Sequence, residues 1–168
     1  VGVVSQINEN TEDPNINDVH KIGTVAKILK ILNLPDGNIT VILQGKKRFE
    51  IAELSQSEPY LKAIVKEVEE VRPEADDAEF KAIVESVKET SYEMIKENPN
   101  IPSEASFAIK NIESDSFLIN FVGSNLNLTV QDKQAILEIN DLKERALETL
   151  RKMNVELQKL NLKNDIQN

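Results

Sequence analysis

Apolar and polar positions along this chain change their period once, at Arg72-Pro73. Before it, apolar residues come in short runs rich in Val, Ile and Thr, the pattern of strands. After it they recur at three- and four-residue steps, the pattern of helices. Val3 and Val4 sit in an opening apolar run, VGVVSQI, and a loop over 8–21 follows, too rich in Asn and Asp to pack. Residues 24–32 are dense in β-branched side chains. Pro35-Asp36-Gly37 then predicts a hairpin turn, because Pro fixes φ and Gly tolerates a positive one. In the returning strand Ile39, Val41 and Leu43 alternate with Thr40, Ile42 and Gln44; beyond Gly45, Phe49 and Ile51 share one side and Arg48 and Glu50 the other. A last strand is expected over 60–71. Short strands separated by turn signals predict a small twisted barrel or sandwich.

The helical part begins at 76–96, with apolar residues at 80, 83, 84, 87, 94 and 95, and should end before Asn98-Pro99. A second helix is predicted over 103–112 with Ser103 as N-cap, and a third over 115–122 that stops at Gly123. Thr129 and Asp132 have the spacing of a capping pair at the start of the next helix, and Asp141 should cap the last. There Ala146, Leu150, Met153, Leu157 and Leu160 step by 4, 3, 4 and 3. This seam covers barely two heptads, short of the three or so that a sustained coiled coil needs. It predicts a face docked on a bundle with a projecting end, the polar tail 161–168 being either frayed or part of a longer helix. The expected map is a β-rich subdomain over 1–71, a helical subdomain over 72–128, and a helical end with a long exit helix over 129–168. The fold class is α+β.

Composition narrows the chemistry. With 40% apolar and 29% charged residues the 168-residue chain is globular in character; five Phe, two Tyr and no Trp make its core aliphatic. The absence of Cys excludes disulfides and Cys-ligated metals. A net charge of −9 disfavours nucleic acid as a partner; residues 72–168 carry −6 of it, and Lys46-Lys47-Arg48 is too short a basic cluster to outweigh it. No apolar run approaches the ~20 residues of a membrane span. The chain opens without a signal-peptide layout, as if in mid-strand, which predicts a fragment boundary there and a cytoplasmic location.

No catalytic constellation emerges. His20 is the one histidine, in a polar loop, without triad partners or a metal-ligand set. Gln44-Gly45-Lys46-Lys47 imitates a phosphate loop, yet Thr40 and Lys47 break the required G-x-x-x-x-G-K-[ST] spacing; a turn between strands is the simpler reading. Glu69-Glu70 and Asp76-Asp77 are carboxylate pairs of the kind found on solvated surfaces. No catalytic, cofactor-binding or metal-binding residue is assigned.

The stretch 124–160 is the most specific. Asn125, Leu126, Leu128 and Thr129, then Lys133, Gln134, Leu137 and Glu138, then Asp141, Lys143 and Arg145, resemble the N-L-x-L-[ST], K-Q-x-x-L-E and D-x-K-x-R segments that close a Lon protease N-terminal domain. Residues 22–28, the 34–37 turn, Val41 through Gln44-Gly45 with Arg48 and Ile51, and 59–63 are similar, in order, to further elements of that family. The resemblance implies a β-rich subdomain like a PUA barrel, a helical bundle and a long exit helix. It also implies a parent that is an ATP-dependent endopeptidase with a Ser-Lys dyad, assembled as a ring, usually a hexamer. The dyad and the ATP and Mg sites lie outside these residues. The family's domain has an opening strand and helix before the segment matched by 1–7, so the barrel is expected to be short of a strand, with an exposed edge.

Three functions follow as expectations. The first is a polypeptide-binding module that captures unfolded or degron-bearing proteins for a motor and protease in protein quality control; Leu34 at the hairpin tip and Phe117 and Phe121 of the short helix are its candidate contacts. The second is an assembly or gating domain with little substrate affinity, using Leu150, Met153, Leu157 and Leu160 of the exit helix for self-association. The third is a small-molecule module with a β pocket, for which no convergent polar cluster is visible.

Overall fold

The computed structural model describes residues 1–167, which fold as two compact units meeting at Glu69 and Glu70. The first contains β1 (Gly2–Val3), β2 (Ile22–Asn33), β3 (Ile39–Gln56) and β4 (Lys62–Glu67); the second contains α1 (Ala78–Glu97), α2 (Glu104–Lys110), α3 (Asp115–Asn125), α4 (Val130–Leu137) and α5 (Leu142–Gln167). The α+β order of a β-rich part, a helical bundle and a long closing helix is as expected.

The first unit is one antiparallel sheet in the order β1-β2-β3-β4. Its core is small: Val19, Ala26 and Phe49 are buried. Gly23 lets β2 lie against β1, since a Cβ there would collide with the Val3 carbonyl and come within 2.9 Å of the Phe49 ring. β3 is longer than the pattern suggested. Gly45 does not end it; Gly45 pairs with Ala26, and Lys46 is the extra residue of a bulge opposite Val25 and Ala26. The sequence QGKK therefore lies within a strand, not in a turn. β4 is shorter than the expected 60–71, because Val71 belongs to the second unit, where it forms a parallel bridge with Asp141.

In the second unit α1 starts where Asp77 Oδ1 accepts the Phe80 amide at 2.8 Å. Thr129 caps α4 by accepting Asp132 N at 3.1 Å, and Asp141 caps α5 by accepting Glu144 N at 3.0 Å. Two expectations need correction. Ser103 occupies the N-cap place of α2 with αR dihedrals, so its hydroxyl makes no cap bond. Gly123 does not end α3: the helix continues to Asn125, and Gly123 is buried beside Thr149. Side chains take over its last carbonyls instead, Asn125 Nδ2 and Ser124 Oγ both donating to Phe121 O.

The bundle core joins Phe80, Ile83, Val84 and Val87 of α1 with Leu118, Ile119 and Val122 of α3 and Leu142, Ala146 and Met153 of α5. The 146–160 seam thus docks within its own bundle. Of the two expectations for the tail, the helical one holds over 161–167 and the frayed one does not: α5 runs to Gln167, and Asn164 Nδ2 donates to Glu97 O at 3.0 Å. The remaining tail residue, Asn168, lies outside the described residues.

Candidate functional site

The first unit carries a two-stranded arm. β1 pairs with β2 at Thr24 and Val25, and β4 meets β3 from Phe49 onward, so over 27–44 the ribbon of β2 and β3 has neither neighbour beside it. Cross-strand pairing decides which side chains share a face, since opposed residues point the same way and successive pairs alternate. Ile28 with Leu43, Ile31 with Val41, and Asn33 with Ile39 form one row; Lys27 with Gln44, Lys30 with Ile42, and Leu32 with Thr40 form the other, Leu29 being the extra residue of a β2 bulge. One face is therefore aliphatic except for Asn33, and the other is mixed, with Lys27, Lys30, Thr40 and Gln44 beside Leu32 and the exposed Ile42.

The aliphatic face is uncovered. Ile28, Ile31, Ile39, Val41 and Leu43 are each at least 41% exposed. Scattered exposed apolar residues are ordinary on a protein surface; a contiguous row of five that no other described residue covers is less so. The tip is held by local bonds. Leu34 N donates to Asn38 O at 2.8 Å, Gly37 adopts φ 87°, and the Asp36 carboxylate accepts both the backbone N–H and the side-chain amide of Asn38. These bonds, the backbone one first, hold the Asp36 carboxyl below the usual carboxylate range. Leu34 itself is 40% exposed.

The stretch 21–48 is basic in an acidic chain: Lys21, Lys27, Lys30, Lys46, Lys47 and Arg48 stand against Asp36, and within the arm itself Lys27 and Lys30 do so. Lys47 reaches Glu67 at 3.5 Å, while Lys27, Lys30 and Lys46 have no ion-pair partner among the described residues.

Phe117 and Phe121, one helical turn apart on α3, stack with centroids 6.1 Å apart and are 58% and 38% exposed. They form a second, smaller apolar patch on the other unit, with Leu34 on the first. Of the exit-helix residues, Met153 is fully buried and Leu150 and Leu157 pack against the bundle core, while Leu160 is half-buried. The expected contact Leu34 stands exposed at the tip of this ribbon, and the row behind it is not among the residues the sequence singles out. The alternation at 39–44 was visible, but alternation alone does not tell a covered face from a bare one.

The D-x-K-x-R segment has a different task. Lys143 Nζ lies 3.1 Å from Asp77 and 3.2 Å from Glu79 at the start of α1. Arg145, almost wholly buried, donates Nε and Nη2 to Ile139 O and Nη1 to Glu70 Oε1 at 2.9 Å and Asn120 Oδ1 at 3.2 Å. Ser116 Oγ donates to the same Glu70 carboxylate. With Asp141 as cap, these residues clasp the start of α5 to α1, α3 and residue 70. Hydrogen bonds from Phe80 N and then Lys143 lower the Asp77 pKa, and Asp77, then Glu79, raise that of Lys143. Among the described residues no group of three or more His, Asp or Glu is placed to hold a metal ion, and no helix is long and apolar enough to cross a membrane.

This order, a four-stranded antiparallel sheet followed by a helical bundle ending in a long helix, is the fold of Lon N-terminal domains. It superposes on the N-terminal domain of a Mycobacterium avium complex Lon protease with a TM-score of 0.70 at 22% identity, covering 92% of this chain and 90% of that one. A Lon N-terminal domain protein from Xanthomonas campestris gives 0.53 at 15% identity, over 82% and 71%. Residues 1–155 match the family of the ATP-dependent protease La (LON) substrate-binding domain, and the chain belongs to it. It is 70% identical over 167 residues to a Lon protease of Flavobacterium johnsoniae and 46% identical over 166 residues to one of Cytophaga hutchinsonii. In both cases 99% of this chain is matched, and it spans 20% of the relative's length.

Proposed function

We propose that this chain is the non-catalytic substrate-recognition part of an ATP-dependent serine protease, and that its hairpin arm captures unfolded polypeptide. The observation that carries this reading is the uncovered aliphatic row of Ile28, Ile31, Ile39, Val41 and Leu43. Such a row binds by removing apolar area from water, which is non-directional and so tolerates many sequences. Folded proteins have their aliphatic segments inside, so preference for unfolded chains follows from availability alone. ATP, magnesium and the Ser-Lys dyad would belong to the rest of the parent, which would act in cytoplasmic quality control as a homo-oligomeric ring.

The test is binding of a labelled, permanently unfolded protein to the wild-type chain and to Val41→Asp with Leu43→Asp. Burying one aliphatic side chain is worth ~1.5–3 kcal/mol, so the double variant should weaken capture by at least about tenfold while circular dichroism stays unchanged. Leu34→Asp should weaken it less. If capture instead vanishes with Phe117→Ser and Phe121→Ser and survives the arm variants, the aromatic patch is the site and the arm is not.

A further inference from the structure

We propose that the outer edge of β3 in the arm, residues 39–45, is a strand-addition site for an extended peptide alternating aliphatic and acidic side chains. This rests on the capture reading and names its substrate class.

Three observations converge on that edge. It is open: the β4 side of the sheet engages β3 only from Arg48, whose carbonyl accepts Val68 N, and among the described residues no hydrogen bond occupies the outer side of 39–45. It is regular: the extra residue of the arm's outer bulge, Leu29, lies on β2, so β3 offers evenly alternating donors and acceptors over 39–45, whereas the bulged β2 edge is a poorer template. It is two-faced: an added strand continues both rows of the ribbon, so alternate side chains lie beside Ile39, Val41 and Leu43, and the others lie beside Thr40, Ile42 and Gln44, on the face that also carries Lys27 and Lys30.

Charge selects the second set. Lys27 and Lys30 sit one strand further in, roughly 10 Å from an added strand, a gap that a lysine stem shortens and that compares with a Debye length of about 10 Å at 0.1 M salt. Both ammonium groups lack an ion-pair partner among the described residues. Acidic residues at alternate positions gain from them; basic residues are repelled.

The experiment measures anisotropy of a labelled alternating valine–glutamate peptide, its valine–lysine counterpart, and the valine–glutamate peptide N-methylated on one edge, each with the intact chain. The glutamate peptide should bind about tenfold tighter than the lysine peptide at low salt, the gap narrowing as salt is added. N-methylation of the pairing edge should abolish binding, and Lys27→Glu with Lys30→Glu should invert the charge preference. Equal affinity for both peptides, with binding still lost in Val41→Asp with Leu43→Asp, overturns this inference and leaves the capture reading standing. Binding indifferent to N-methylation overturns strand addition. A chain that sediments as a dimer, dissolved by Val41→Asp, assigns the edge to a second copy and overturns it too. Failure to bind either peptide or the unfolded protein removes both readings.

Discussion

Arg145 shows how much a single residue can hold. Its planar guanidinium gives four directed hydrogen bonds to three acceptors from different segments, Ile139 O, Glu70 and Asn120. An ammonium cannot reproduce that fork. Arg145→Lys should therefore destabilise the helical unit by about 3 kcal/mol, the cost of leaving part of a buried charged network unmatched, read as a shift in the urea midpoint. Gly123 predicts the opposite sign. Its α3 site has ordinary dihedrals, and an added Cβ would lie 3.8 Å from Thr149 Oγ1, normal contact distance. Gly123→Ala should stabilise by about 0.5–1 kcal/mol through helix propensity. A lower melting temperature in that variant would show that the α3–α5 contact has no room for a methyl group.

Among the elements, α1 and α5 are tied at their first turns by Asp77, which caps α1 and pairs with Lys143. The Asp77 pKa is lowered in the folded chain, so the unfolded chain binds a proton there more readily than the folded one. The stability it contributes is fully present above the ordinary carboxylate pKa of about 3.9 and is lost as pH falls through the lowered folded value. Asp77→Asn should therefore be less stable than wild type at neutral pH and approach it in strong acid. A stability difference that does not change between neutral and acid pH would place the effect elsewhere. The arm is an element of another kind. Its ladder and its turn are local, and its aliphatic face takes no part in a core, so substitutions there should alter binding far more than stability.

For the whole molecule, what could be read in advance divides along a physical line. The change of period at residue 72, the Pro35-Gly37 turn and the caps Thr129 and Asp141 were legible, because each is a local backbone requirement with a local side-chain signature. The family signature at 124–145 was legible for the same reason, and its residues do structural work: Leu126 fills the core, Thr129 and Asp141 cap, and Lys143 and Arg145 clasp. That is why it identified the fold and not the site. The arm's bare face was not legible, since Ile39-Thr40-Val41 reads the same over a core as over solvent. Gly123 misled because a glycine at a helix end and one packed inside a helix carry the same letter. The charge map was half legible: the cluster at 46–48 was seen as a small exception to an acidic chain, while its register with Lys27 and Lys30 on one ribbon needed the pairing of β2 with β3.

The measurement that bears most directly on the central claim compares the affinity of this chain for one protein in its unfolded and its native form, with light scattering to follow its assembly state. Capture by the arm predicts binding of the unfolded form alone, by a monodisperse species, with the binding lost in Val41→Asp with Leu43→Asp. Equal affinity for the two forms, or self-association with no binding of either, would contradict it and move the domain's role towards assembly.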